Sequence, residues 1–206
     1  MKLSIFSPTQ KILEKLKPKW KKELKKAGLL SSTRTLKMKS STAPSLGLIP
    51  DIPSLALTPF KSDTSLTNGS SIAFLAEYEN QKMLFAGDAY ATTLLKSINK
   101  YLPKCEPLYL DLFKIPHHGS EGNISKELLE RLRCSKYLIS ANGTYHKHPD
   151  TVAIAKIITY GGHKSDIYFN YRSKYTNVWK DPISQEQHHY FTHYPKKKDT
   201  GITIQL

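Results

Sequence analysis

Three apolar runs, each closed by a polar turn that carries an Asp or a His, lie between Ser71 and Pro149 and limit what this chain can fold into. They read S-I-A-F-L-A-E-Y-E-N-Q-K-M-L-F-A-G-D-A, then L-Y-L-D-L-F-K-I-P-H-H-G-S, then K-Y-L-I-S-A-N-G-T-Y-H-K-H-P-D. Short apolar runs bounded by turn residues predict strands. The helical patterns between them predict an α/β (α+β) fold, and such folds gather their chemistry at strand ends.

Local signals fill in the order of elements. Leu3 to Phe6 predicts a short strand. Ser7-Pro8-Thr9-Gln10 reads as a helix start, with Ser7 as the cap and Pro8 at the first helical position. The helix should reach about Ala27 and stop at Gly28, with Pro18 kinking or splitting it. Ile12, Leu13, Leu16, Trp20, Leu24 and Ala27 recur at threes and fours, so this stripe is expected to pack into the core. Residues 30–70 are rich in Ser, Thr, Pro and Gly without a sustained period and read as a long loop or insertion.

From Ser71 onward the pattern is regular. A hairpin runs from Ile72 to Ala86 with its turn at Glu79-Asn80-Gln81-Lys82. Helices are expected over Tyr90–Lys100, Ser125–Arg133 and Asp150–Tyr160, and strands over Leu108–Ile115 and Tyr137–Ser140. Weaker strand signals follow at Ile167–Phe169, Tyr190–Tyr194 and Gly201–Leu206. The sequence thus divides into 1–29, a strand and Lys-rich helix; 30–70, the insertion; and 71–206, the main domain.

With 39% hydrophobic residues in 206, the chain can bury a core, which excludes wholesale disorder. No run approaches the roughly eighteen apolar residues of a membrane span, and the N-terminal apolar run is too short for a signal peptide, so no membrane partner is expected. Cys105 and Cys134 stand apart with no C-x-x-C pair, which fits a reduced, cytoplasmic setting. The net charge of +14 is uneven, because residues 1–45 hold twelve Lys or Arg against Glu14 and Glu23. A basic segment on a near-neutral body points to a polyanion such as nucleic acid, or to a solvated helix face.

The chemistry-bearing candidates are few. Asp88 follows a strand and a Gly, where it serves as a metal ligand or as a turn and cap residue. His117 and His118 follow a strand and Pro116; two adjacent imidazoles serve one site only if the backbone leaves the strand there, which Pro116 and Gly119 allow. Imidazole suits zinc-like ions and also moves protons near neutral pH; the alternative is a surface loop with polar side chains. His148 precedes Pro149 and reads as a ligand or as the cap of the next helix. His163, His188, His189 and His193 lack such a setting. No phosphate-binding glycine motif and no nucleophile elbow is present.

Taken together, M-L-F-A-G-D, F-K-I-P-H-H-G-S and L-I-S-A-N-G…H-K-H-P-D resemble the C-terminal half of a metallo-β-lactamase-fold hydrolase. The likeness is to the branch of DNA-uptake competence proteins and hydrolases beside bacterial defence genes, and it covers about Ser71 to Ile158. The resemblance implies an αββα sandwich holding one or two ions, zinc or manganese, at one rim. It implies Asp88 as the bridging carboxylate, His148 as a late ligand, and His117 or His118 as a ligand or proton donor. A metal-bound hydroxide would attack a phosphodiester or related ester, and the positive charge favours a nucleic-acid-type substrate. Family members also carry an H-x-H-x-D-H cluster near their N-terminus, whereas the first histidine here is His117. The expectation is therefore a sandwich lacking its N-terminal strands, completed by a first-half chain. The alternatives are a basic nucleic-acid-binding protein without activity and a degenerate fragment.

Overall fold

The computed structural model describes residues 1–27, 49–103, 106–162, 164–196, 199 and 201–206. Gly28 as a helix stop, residues 30–48 of the expected insertion, Cys105 and His163 lie outside the described residues. The chain begins with β1 (Lys2–Ser7) and α1 (Gln10–Lys26), and resumes with the short helices α2 (Ile52–Ala56) and α3 (Leu66–Gly69). The hairpin β2 (Ala73–Tyr78) and β3 (Gln81–Phe85) follows, then α4 (Ala91–Tyr101). Next come β4 (Leu108–Leu110), β5 (Leu112–Lys114), α5 (Lys126–Glu130), β6 (Leu132–Cys134) and β7 (Lys136–Ile139). The chain closes with α6 (Thr151–Tyr160), β8 (Ser165–Phe169), α7 (Lys174–Asn177), α8 (Pro182–His188) and β9 (Tyr190–His193).

The fold is mixed α/β around a seven-stranded sheet of order β1-β2-β3-β5-β7-β8-β9. β1, β2 and β3 are antiparallel, and every later pairing is parallel. Glu79 and Asn80 join β2 to β3 with φ of 46° and 68°. Two consecutive positive-φ residues are what a two-residue hairpin needs to match strand twist. β1 pairs along β2, from Lys2 against Glu77 to Ser7 against Ala73, so the N-terminal strand belongs to the same sheet as the main domain.

The main core lies on one face of the sheet, and the other face is only partly covered, with Ala76 and Leu112 buried there. Leu75, Leu84, Phe113, Tyr137, Ile139, Ile167 and Phe169 point to the side where α4, α5 and α6 supply Leu94, Ile98, Leu128, Leu129, Ile154 and Ile157. The alternate residues, Leu3, Ile5, Phe74, Met83, Phe85, Leu138 and Tyr168, belong to no part of this core. Their register aligns them across neighbouring strands, and Phe74 stacks on Phe85 with ring centroids 5.1 Å apart. Apolar residues on both faces are unusual where one face is only partly covered, because alternation normally puts polar residues on the open side.

Several expectations are corrected. The run Leu108–Ile115 is two strands in two sheets: β4 pairs with β6, and β5 with β3 and β7. The break falls at Asp111, whose N–H donates to the Lys82 carbonyl (2.8 Å) while its carboxylate accepts from the Lys82 N–H (2.7 Å). The helix from Ser125 is capped by the Ser125 hydroxyl at Leu128 N (3.2 Å) as expected, but it ends at Glu130 and Leu132–Cys134 becomes β6. Residues 49–70 are no plain loop, since they form α2 and α3 and place Ile52 in the core. Gly201–Leu206 is not a strand; the Gln205 carbonyl accepts from Lys136 Nζ instead (2.9 Å).

α1 departs furthest. Its cap position is Thr9 rather than Ser7, which is the buried end of β1, and Pro18 lies within one continuous helix. None of its residues is buried, so the apolar stripe is not core. The reason is length. Among the described residues the helix it packs against most is α3, and at 1.5 Å per residue four residues cover about 6 Å of a helix about 25 Å long. Ile12, Leu16 and Leu24 are half-buried, while Leu13 and Trp20 stay exposed.

Candidate active site

The C-terminal ends of β3, β5 and β7, three neighbouring strands of the parallel run, carry Asp88, the His117-His118 pair and the loop to His148. Strand ends on one edge of such a sheet form a natural crevice. Two backbone bonds tie the three loops together: His117 N–H donates to the Gly87 carbonyl and Asp150 N–H to the Gly119 carbonyl, each 2.9 Å.

The H-H-G turn is strained. His117 and His118 have φ of 45° and 57°, and Gly119 follows at 83°. Left-handed backbone at a residue with a side chain costs about 1–3 kcal/mol, so the surroundings must enforce it twice over. Gly119 is required here, because a Cβ would stand 2.7 Å from the Pro149 Cβ. The departure from strand geometry read from Pro116 and Gly119 is thus present, and it sends the two rings to different partners, His117 to Asn123 and His118 to the Ser140 carbonyl.

Three imidazoles are held through the same ring nitrogen. His117 Nδ1 lies 2.9 Å from Asn123 Oδ1 and 3.5 Å from Asp63 Oδ2. The Asn123 amide nitrogen donates to the carbonyls of Asp88 (3.2 Å) and Ala89 (3.1 Å), so its oxygen faces the ring and the His117 Nδ1–H is the donor. His148 Nδ1 meets Asp150 Oδ1 at 3.1 Å, and His118 Nδ1 donates to the Ser140 carbonyl. Each ring is anchored through Nδ1, which leaves Nε2 as its working nitrogen. Metal-binding histidines are held this way, with the second nitrogen fixed by a carboxylate or carbonyl. Ring centroids of His117 and His148 are 5.5 Å apart, and those of His117 and His118 6.3 Å. His146 lies next to this group, 5.9 Å from His148.

Asp88 is half-buried at the start of the crevice, its N–H accepted by Ser71 Oγ (3.0 Å). It does not cap α4, whose cap position is Tyr90, nor does His148 cap α6, whose cap position is Asp150. Both cap readings are therefore set aside. Lys114 sits beside Asp88; burial pushes its ammonium pKa below the ordinary lysine value and the Asp88 charge offsets part of that. Burial pushes the Asp63 carboxyl up, but donation from Ser65 N–H, Asn68 and Asn123, with the His117 ring, outweighs it and holds Asp63 below its ordinary value.

The donors do not by themselves make a closed metal centre. Among the described residues no group of three or more His, Cys, Asp or Glu side chains gathers closely enough to hold an ion. Asp88, His118 and His148 do not form a cage among the described residues. Beside them opens a pocket of about 280 Å³ lined by His118, Ser140, Asn142, Tyr145, His146 and His148.

Sequence reasoning missed Asp63, Asn68, Asn123 and Asp150. Asp63 and Asn68 fall in the stretch read as insertion. Asn123, fully buried, follows H-H-G-S by three residues, and a buried amide so close to paired histidines was the signal available. No family model, no curated protein and no solved structure matches the chain.

Proposed function

We propose that this chain is one half of a metal-dependent hydrolase of the metallo-β-lactamase type, acting on phosphodiester or nucleic-acid-type substrates and completed by a second chain. The observation that carries this reading is the shared anchoring of His117, His118 and His148 through Nδ1 at the ends of adjacent strands. A purely structural histidine cluster has no need to anchor three rings through Nδ1 alone, nor to hold two of them on strained backbone.

In this reading Asp88, His118 and His148 would contribute to a zinc or manganese site, and His117, or His118 where it does not ligate, would hold or move a proton at Nε2. The ion supplies Lewis-acid polarisation of the ester when bound. Catalytic zinc takes about three protein ligands, so this set suffices for one ion at most and the donors for a second come from the partner. The unfilled apolar face, with Ile5 63% exposed, is where a second sheet would sit to make the αββα sandwich.

The test is zinc titration by calorimetry of the purified chain. The expected result is weak binding that Asp88→Ala and His148→Ala each lower about tenfold or more. Binding that neither substitution changes would overturn the site. Turnover of a chromogenic phosphodiester is expected only after the partner is added.

A further inference from the structure

The Lys-rich helix α1 flanks the candidate site. It packs against α3, and α3 carries Asn68, whose amide donates to Asp63 (2.8 Å) and lies 3.5 Å from His117 Nδ1. Eight lysines lie between Gln10 and Lys26, against Glu14 and Glu23, and there is no arginine. All eight are exposed, and among the described residues only Lys26 has a carboxylate partner, Glu23 at 3.1 Å. Trp20 stands 56% exposed in their midst, directly between Lys19 and Lys21.

We propose that α1 is a docking arm for single-stranded nucleic acid, with Trp20 stacking on an unpaired base and the lysines around it, Lys17 and Lys21 foremost, neutralising phosphates. This rests on the reading of the neighbouring site as acting on nucleic-acid-type substrates, and it names the form of that substrate and the surface that receives it. Charge sets the polyanion. Lys17 and Lys21 lie one turn apart, about 6 Å along the axis, beside the indole. Unpaired surface lysines supply the counter-ion release that dominates such binding. The indole sets the single strand, because stacking on an aromatic ring needs a base free of its own neighbours. A lipid surface is the weaker reading of the same helix. It would need the apolar stripe free, whereas Ile12, Leu16 and Leu24 are already half covered by the body, leaving Trp20 and Leu13 outward.

The experiment is titration of the whole chain with a mixed-sequence single-stranded DNA oligonucleotide in the presence of a chelator, following tryptophan emission. Trp179 is fully buried, so a change reports Trp20. Emission should be quenched in step with binding. Trp20→Ala should weaken binding about tenfold while Trp20→Phe retains most of it. Lys17→Gln with Lys21→Gln should make the salt slope shallower by about 1.4, from 0.7 per phosphate. These side chains are exposed, so unfolding midpoints should not move. Duplex DNA binding as tightly as single strand with unmoved emission would overturn the proposal. So would a blue shift on phosphatidylserine vesicles without DNA binding, or no binding at low salt. Because the chelator removes the metal, failure here leaves the hydrolase reading standing, and binding without later hydrolysis leaves this one standing.

Discussion

At the scale of single residues the site turns on Asn123. Its one side chain meets His117, Asp63 and the carbonyls of Asp88 and Ala89, so it joins three loops and fixes which His117 nitrogen carries the proton. Asn123→Ala should cost about 2–3 kcal/mol, since it orphans buried partners rather than removing a matched pair. The check is chemical denaturation, together with loss of a slowly exchanging His117 Nδ1 proton by nuclear magnetic resonance. His118 behaves in the opposite way. It is exposed, so His118→Ala should change stability by less than about 0.5 kcal/mol, and any fall in zinc affinity for that variant reports chemistry rather than folding. The H-H-G-S motif was legible because Pro and Gly mark where the backbone turns. Asn123 and Asp63 were not, because hydrogen-bond hubs of this kind are made by loops that meet in space and leave no period in the sequence.

At the scale of elements, the hairpin turn and the Ser125 cap were legible, while the other caps and the change of sheet were not. The Glu79-Asn80 turn and the Ser125 cap carry their own residue chemistry. In Leu108–Ile115 only one acid interrupts an apolar run, and nothing local says that the strand passes to another sheet there. The stripe of α1 was misread because periodicity reports which residues share a face, not whether a neighbour is long enough to cover it. β1 offers a test at this scale. Glu77 on β2 accepts from Lys2 Nζ at 3.0 Å and from the Tyr101 hydroxyl at 3.0 Å, pinning the edge strand to the sheet and to α4. The Lys2 hydrogen bond holds the Glu77 carboxyl below its ordinary value of 4.5; burial opposes it and Tyr101 assists. A depressed carboxyl pKa stabilises the fold above the unfolded value, and that contribution disappears as pH falls through the lower folded value. Lys2 is raised above 10.5, so its share is lost only in strong alkali. Glu77→Gln should therefore cost no more than about 1 kcal/mol at neutral pH, as befits a partly screened pair. In urea unfolding the gap from the parent should close below about pH 4.

At the scale of the whole molecule two surfaces compete, and salt separates them. Ile5, Phe74 and Phe85 form one apolar row across β1, β2 and β3, outside the core that fills the other side of the sheet. Ile5 is exposed and Phe74 and Phe85 are half-buried; apolar rows left partly open in this way mark interaction surfaces, so the chain alone should pair through this one. Its net charge of +14 opposes that pairing, because every copy repels every other. Raising ionic strength to about 0.1 M shrinks the screening length to about 10 Å and removes most of the repulsion while leaving the apolar contact intact. Self-association measured by sedimentation equilibrium should therefore strengthen with salt, opposite in sign to binding of a polyanion by α1. Ile5→Lys with Phe74→Lys should keep the chain monomeric at every salt concentration without loss of the folded signal. Association that weakens with salt, or that survives both lysines, would place the contact elsewhere and remove the physical argument for a second sheet on this face.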